Sequence, residues 1–438
     1  MCIRDRHDAN QLVESLQLAA QQVIEKLADQ RTNIVSAALA TQRSNMLCWR
    51  RSDNKPLSPV ISWQDRRAAD KLEGIDLQYV QQKTGLHANP HYGASKMAWC
   101  LEHLPAVKQA AKDNDLVMGP MSSYLASRLT DTTALADPAN ASRSLLWNIH
   151  SHDWDDELCG WFAIDKIFLP RCVNSDHGFG TLSLTDQLIP LKIVTGDLSA
   201  AAFVNGQPHD DIAYMTLGTG GFVQRINTKA FTHPGLLDGM VWSSQSESYI
   251  SLEGTVNGAG AAISWLAQQH DMDESDIYKN LQQWSNTYEE IPLFLNAVSG
   301  IGSPAWCAHE SPEFNHQASL GQQAVAIIES VVFLFMLNMK AMDEVLPKAQ
   351  CLYMTGGLSN VDILCQKLAD LSKLPVQRGL ESEGTGRGLA YLLSGDSGDW
   401  PYEADEFLPR DNSQLEQQYG QWLVFMQEHS SKDCLYFK

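Results

Sequence analysis

The chain has 438 residues, a formal net charge of −20, 44% apolar residues and 19% charged residues. That length exceeds one ordinary core and predicts two domains of a soluble globular protein. The charge argues against nucleic acid or an anionic membrane as partner, since neither attracts such a surface.

The nine cysteines form no Cys-x-x-Cys pair and no metal-ligand cluster with histidine. Such an odd, scattered set predicts reduced core thiols in a cytoplasmic protein, and no signal peptide is visible at the start. His87 and His91 lie four apart, but Asn89-Pro90 between them breaks a helix, which argues against a metal pair.

The first six residues, Met-Cys-Ile-Arg-Asp-Arg, fit no pattern that follows and read as a non-native leader or an artefact of sequence assembly. Over residues 10–28, Leu12, Leu16, Ala19, Val23 and Leu27 recur at helical spacing. Residues 32–38, 46–49 and 60–63 read as strands, with a turn at Asp53-Asn54-Lys55-Pro56 before the third. Residues 68–129 read as a helical section interrupted by Gly85 and Asn89-Pro90. A strand at 191–194 then reaches Thr195-Gly196-Asp197-Leu198-Ser199, where small residues and a carboxylate suggest a strand end opening a helix.

Next comes Ile212-Ala-Tyr-Met-Thr-Leu-Gly-Thr-Gly-Gly-Phe-Val-Gln-Arg-Ile226, two β-rich runs around a glycine turn. Glycines there let backbone N–H groups converge on an anion, and Thr219 adds a hydroxyl, so the hairpin is a candidate phosphate cradle as well as a plain tight turn. Residues 257–265 read as a helix start rich in small residues. The apolar stretch 324–339, interrupted by Glu329, reads as a buried helix rather than a membrane span. A second glycine signal, Thr355-Gly356-Gly357-Leu358-Ser359-Asn360, closes the short apolar run 351–354 and opens a helical pattern, the place where α/β folds bind nucleotides. A terminal helix is expected over 415–426. Alternating strands and helices in both halves indicate α/β architecture.

Eight segments, in order, resemble the FGGY carbohydrate kinases, within which the glycerol kinase branch is most similar. They are Thr41-Gln42-Arg43, Ile61-Ser-Trp63-Gln-Asp-Arg-Arg67, Asp137-Pro-Ala-Asn-Ala-Ser-Arg143, Gly196-Asp197, the Gly218-Thr219-Gly220 hairpin, Leu252-Glu253-Gly254 with Gly258-Ala259-Gly260, Gly302-Ser-Pro-Ala-Trp306, and Gly356-Gly357. The resemblance covers nearly everything from residue 7 to 438. It implies an α/β fold of two duplicated actin-like, ribonuclease H-like ATPase domains, residues 7–204 binding the polyol or sugar and 205–438 the nucleotide, with the active site in a cleft between them. It also implies ATP and Mg²⁺ as cofactors and a small polyol or sugar as substrate, with a homo-oligomer left open.

Carried over by position, Asp197 resembles the catalytic base and a weak magnesium contact. From local chemistry alone it reads first as a helix N-cap. Arg43, Trp63, His91 and Tyr92 match the polyol side. An arginine donates to two hydroxyls and an indole covers a C–H face, although a surface arginine and a core tryptophan are the plain readings of the first two. Thr219 and Gly220 match the phosphate side, Gly260 a position where only a small residue lets the nucleotide approach, and Gly356, Gly357 and Asn360 the adenine side. The chain departs from the glycerol kinase pattern at Ser44, where glutamate is expected, at His91, where tyrosine is expected, and at Val361, where asparagine is expected. These departures keep a pentulose kinase of xylulokinase type as the alternative.

The family pattern also opens with a strand, an Asp-Gly-Thr turn and a second strand, and nothing upstream of Asn10 matches it. The expectation is therefore a chain truncated at its start, with unfilled strand positions in the first domain and little or no turnover as it stands. A non-catalytic nucleotide-binding protein on the same scaffold is the alternative of another class.

Overall fold

The structure, a computed structural model, describes residues 6–184, 187–307, 310–380, 383–396, 398, 400, 403–429 and 434. The chain divides into two compact units. The first holds residues up to Gln207 together with Asp238–Ile250 and Gly384–Trp400; the second holds Pro208–Leu237, Ser251–Glu383 and the chain from Pro401. The units thus interleave along the chain, whereas chain order alone suggests one boundary at 204/205.

In the first unit, helix Ala9–Leu27 starts at Asp8, whose carboxylate accepts the Asn10 and Gln11 N–H groups. The strand expected at 32–38 starts later. Residues Ala28–Asn33 form a 3₁₀ turn, with the Thr32 hydroxyl donating to the Asp29 carbonyl, and the strand is Ala37–Thr41. The section expected to be helical over 68–129 contains a strand, Leu116–Pro120, buried along its whole length and paired antiparallel with Met46–Arg50. Five buried residues in a row carry no periodicity to separate strand from helix.

Four short strands form one sheet in the order Arg6–His7, Val60–Ile61, Met46–Arg50, Leu116–Pro120, and a three-stranded sheet runs Thr181–Leu184, Gln187–Gly196, Ala37–Thr41. Leu39, Trp49, Val117, Tyr124, Leu191 and Val194 belong to one buried cluster that joins the two sheets and the helix Met121–Leu129.

In the second unit, five strands pair in the order Gly221–Asn227, Ile212–Leu217, Cys351–Thr355, Val376–Gly379, Ala404–Phe407, with the middle three parallel. Helix Leu320–Asp343 runs through its core and opens with a capping box between Ser319 and Gln322. By length and composition it could cross a membrane, but most of it is buried inside the unit. Its Glu329 accepts from Lys367 Nζ at 2.7 Å, which is how a carboxylate is tolerated there. One sequence expectation is corrected: Cys307 and Cys434 form a disulfide, with Cα atoms 5.0 Å apart, although six other described cysteines are free thiols. Two cysteines 127 residues apart meet only when the terminal segment packs into this core.

Candidate functional site

Strands Ala37–Thr41 and Gln187–Gly196 run parallel with Thr41 opposite Gly196. The segments that follow, Gln42-Arg43-Ser44 and the helix Asp197–Ala201, therefore leave the sheet side by side at its carboxyl ends, where α/β sheets place ligands. A Cβ on Gly196 would lie 2.7 Å from both Cγ and Cδ of Arg43, so the bare glycine lets the arginine stem lie against it. Gly196, not Asp197, is the N-cap; Asp197 is the first helical residue, and its Oδ1 accepts the Leu198 N–H at 2.8 Å. Its carbonyl accepts from Thr385 Oγ1 at 3.3 Å. The helix is closely backed by Gly388, where any Cβ would come within 1.8 Å of the Ala200 oxygen.

The Asp137–Arg143 segment supports this strand end from within. Thr41 Oγ1 donates to Asn140 Oδ1 at 3.2 Å, Asn140 Nδ2 donates to both Asp137 oxygens at 3.0 and 3.1 Å, and Ser122 Oγ donates to Asp137 at 3.0 Å. Burial pushes the Asp137 carboxyl up to about 6, against the hydrogen bonds from Asn140 and Ser122.

The loop after Thr41 turns at Ser44, a buried residue at φ +64°. Asn45 then joins two of the polyol-side segments: its Nδ2 donates to Gln42 Oε1 at 3.1 Å, and its Oδ1 accepts the Trp63 N–H at 2.8 Å. The Trp63 ring stands 5.4 Å from His91, and His91 stands 5.0 Å from Tyr92. Desolvation, followed by the charges of Lys96, Arg143, Arg66 and Arg43, lowers the His91 pKa to about 3, so its imidazole is neutral and offers one donor and one acceptor. The four polyol-side candidates Arg43, Trp63, His91 and Tyr92 thus lie in one unit with Asp197. Sequence reading missed Asn45 and Lys96. Lys96 sits in the buried run Gly93–Ala98, and a lysine at that helical phase was the available signal.

In the second unit the turn joining Ile212–Leu217 to Gly221–Asn227 is sealed onto the next helix. Gly260 N–H donates to the Gly218 carbonyl and Ala261 N–H to the Thr219 carbonyl, each at 2.9 Å. A Cβ on Gly260 would sit 2.7 Å from the Gly218 oxygen, which accounts for glycine at the start of helix Gly260–Gln269. Gly356 adopts φ +93°, with a Cβ position only 2.3 Å from the Leu217 oxygen, so the second glycine signal packs onto the end of the same strand. Gly357 faces open space.

Gly218, Thr219, Gly260, Gly357 and Asn360 line one cavity of about 530 Å³ together with Tyr278 and Leu281. That volume suits a nucleotide-sized ligand. Val361 lines it as well. Two other motif segments serve the scaffold. Buried Glu253 accepts from Gln224 at 2.9 Å, and Ser303 Oγ donates to Asn338 at 2.7 Å.

Among the described residues no group of three or more His, Cys, Asp or Glu side chains is placed to hold a metal ion.

Known proteins match both units. The model of the FGGY family of carbohydrate kinases, N-terminal domain, matches residues 3–203, and that of its C-terminal domain matches residues 213–394. Glycerol kinase from Deinococcus radiodurans is 30% identical over 407 residues, which is 90% of this chain and 81% of that protein. Glycerol kinase from Geobacter sp. is 30% identical over 399 residues, 88% of this chain and 81% of that one. Among solved structures, Plasmodium falciparum glycerol kinase with ADP superposes with a TM-score of 0.85 at 22% identity, covering 98% of this chain and 91% of that chain. Ligand-bound xylulose kinase from Lactobacillus acidophilus superposes at 0.79 and 19% identity, covering 97% and 89%. The fold is the two-domain, actin-like α/β fold of these kinases, and the chain belongs to the FGGY family of carbohydrate kinases, enzymes that phosphorylate a sugar or polyol hydroxyl.

Proposed function

We propose that the acceptor is glycerol or a similarly small polyol, that ATP is the donor, and that Asp197 is the general base. The observation that carries this reading is the register of Thr41 against Gly196, which brings the Arg43 stem against the residue preceding Asp197. The attacking hydroxyl must lose its proton as the phosphoryl group is transferred, and the Asp197 carboxylate takes it. Arg43 donates to acceptor hydroxyls, while Trp63, His91 and Tyr92 supply a largely apolar wall with one neutral imidazole. In the second unit, the cavity-lining Thr219 holds the β/γ-phosphates together with the adjacent Gly220, Gly260 lets the nucleotide approach, and the cavity-lining Gly357 and Asn360 hold the adenine side. Gly220 and Gly356 are not among the lining residues, and Gly356 supports this side from the end of strand Ile212–Leu217.

Magnesium keeps most of its waters and binds through phosphates plus one or two carboxylates, so a set without a protein cage fits it, and Asp197 is the contributing residue of this chain. When bound, the ion neutralises charge on the transferring phosphoryl group. Six free thiols support a cytoplasmic location, and the Cys307–Cys434 disulfide is unusual for it. Ser44 in place of a carboxylate favours a pentulose as second reading, since a missing acceptor changes hydroxyl selectivity.

The test is ADP release with glycerol, D-xylulose and D-gluconate, run beside equilibrium binding of the same acceptors, which reads preference without turnover. Glycerol is expected to bind tightest. The Asp197→Asn variant should lose about 10²- to 10⁴-fold in kcat with nucleotide affinity unchanged. A xylulose preference supports the second reading, and an unchanged kcat removes Asp197 from the chemistry.

A further inference from the structure

We propose that Lys96 is the positioning residue of the acceptor side, a single ammonium that ties together the three loops carrying Arg43, Trp63 and His91. The inference rests on the reading of those residues as acceptor contacts, and the geometry of Lys96 stands apart from it. Lys96 lies in helix Gly93–His103 and is 1% exposed. Its Nζ donates to three backbone carbonyls: Ser44 at 3.3 Å, Ser62 at 2.8 Å and His91 at 2.6 Å. An ammonium has three N–H donors and no acceptor, so the whole capacity of this one is used.

The three oxygens come from three separate loops. Ser44 follows Arg43, Ser62 precedes Trp63, and the third belongs to His91 itself. The carboxylate whose charge Lys96 feels, Asp65, is engaged by Arg67, whose Nε stands 2.9 Å from both carboxylate oxygens. Lys96 is thus held by carbonyl dipoles rather than by an ion pair. A buried charge without a counter-ion is costly, and desolvation with the neighbouring Arg67 and Arg66 charges brings the lysine down to about 7, although Asp65 pulls the other way. An apolar residue of the same length would fill the space at lower cost but would leave three buried carbonyls without donors. What the charge provides is one common anchor for three loops, of which those at Ser44 and Ser62 also meet through the Met46–Ile61 pairing and Asn45, while the His91 loop joins them at Lys96.

Misplacement of a reacting group by about 1 Å costs on the order of 10²-fold in rate. Lys96→Met removes the ties and keeps the volume. Its expected effect is a loss of at least tenfold in glycerol affinity at equilibrium, with ATP affinity, which depends on the second unit, within twofold of the parent. Hydrogen exchange of the variant should show lost protection around residues 44, 62 and 91 together. If the methionine variant does not fold, Lys96→Gln, which keeps an amide donor, is read in the same way. Glycerol affinity within twofold of the parent overturns the proposal, as does an equal fall for both ligands or a spread of lost protection over the whole unit. If the parent binds neither glycerol nor xylulose, the functional reading has failed, and the exchange pattern alone still decides whether Lys96 ties the loops.

Discussion

Around Arg43 the fold sets protonation mainly by burial. An unfolded lysine titrates near 10.5, whereas folded Lys96 titrates near 7. Between these values the unfolded chain binds the additional proton, so stability rises with pH across this window; below 7 both states are protonated and the contribution is constant. The measurement is the urea midpoint of the parent and of Lys96→Met at pH 7 and pH 9.5. The parent should gain on the variant as pH rises, and a parallel response would show that folded Lys96 keeps its proton across this window, its titration not lowered by burial. Burial lowers His91 in the same direction, but it is neutral in both folded and unfolded states throughout this range, so it adds no slope there. Arg43, Trp63 and Asp197 were legible because each lies in a local motif. Lys96 and Asn45 were not, because each also takes partners distant in the chain, Ser44 and Ser62 for Lys96 and Trp63 for Asn45.

Among the elements, the helix Asp197–Ala201 has only five residues and gains little from its own hydrogen bonds. Its position comes from its neighbours: the parallel strand pair, the Thr385 hydroxyl and the close approach of Gly388. Gly388→Ala places a methyl within 1.8 Å of the Ala200 oxygen, so one helix must move. The expected cost is about 1–3 kcal/mol of stability, with a larger fractional fall in kcat than in nucleotide affinity. Thermal unfolding and ADP release read the two effects, and an unshifted melting temperature would show that this packing is loose. Strand Leu116–Pro120 and the late start of strand Ala37–Thr41 escaped the sequence reading for related reasons. A fully buried run has no alternation, and a threonine hydroxyl diverted the backbone into a turn.

For the molecule as a whole, length indicated two domains and the alternation of strands and helices indicated α/β architecture, but neither could show which segments meet. Disulfide connectivity is a tertiary fact of this kind. The Cys307–Cys434 bond closes a loop of 127 residues within the second unit, and its loss in Cys434→Ser should cost about 2–5 kcal/mol. Denaturant unfolding of the second unit checks this, and an unchanged midpoint would mean that packing of the terminal segment alone suffices. The interleaving of the units has a different consequence, which belongs to biosynthesis. Residues 384–400 complete the first unit, yet the ribosome makes most of the second unit before them. At roughly 5–20 residues per second, the first unit waits tens of seconds, with the back of the Asp197 helix uncovered, for a segment still to be translated. Unit one begins first and finishes late, so an interrupted translation product contains the residues proposed to bind the acceptor without the helix that holds the proposed base in place.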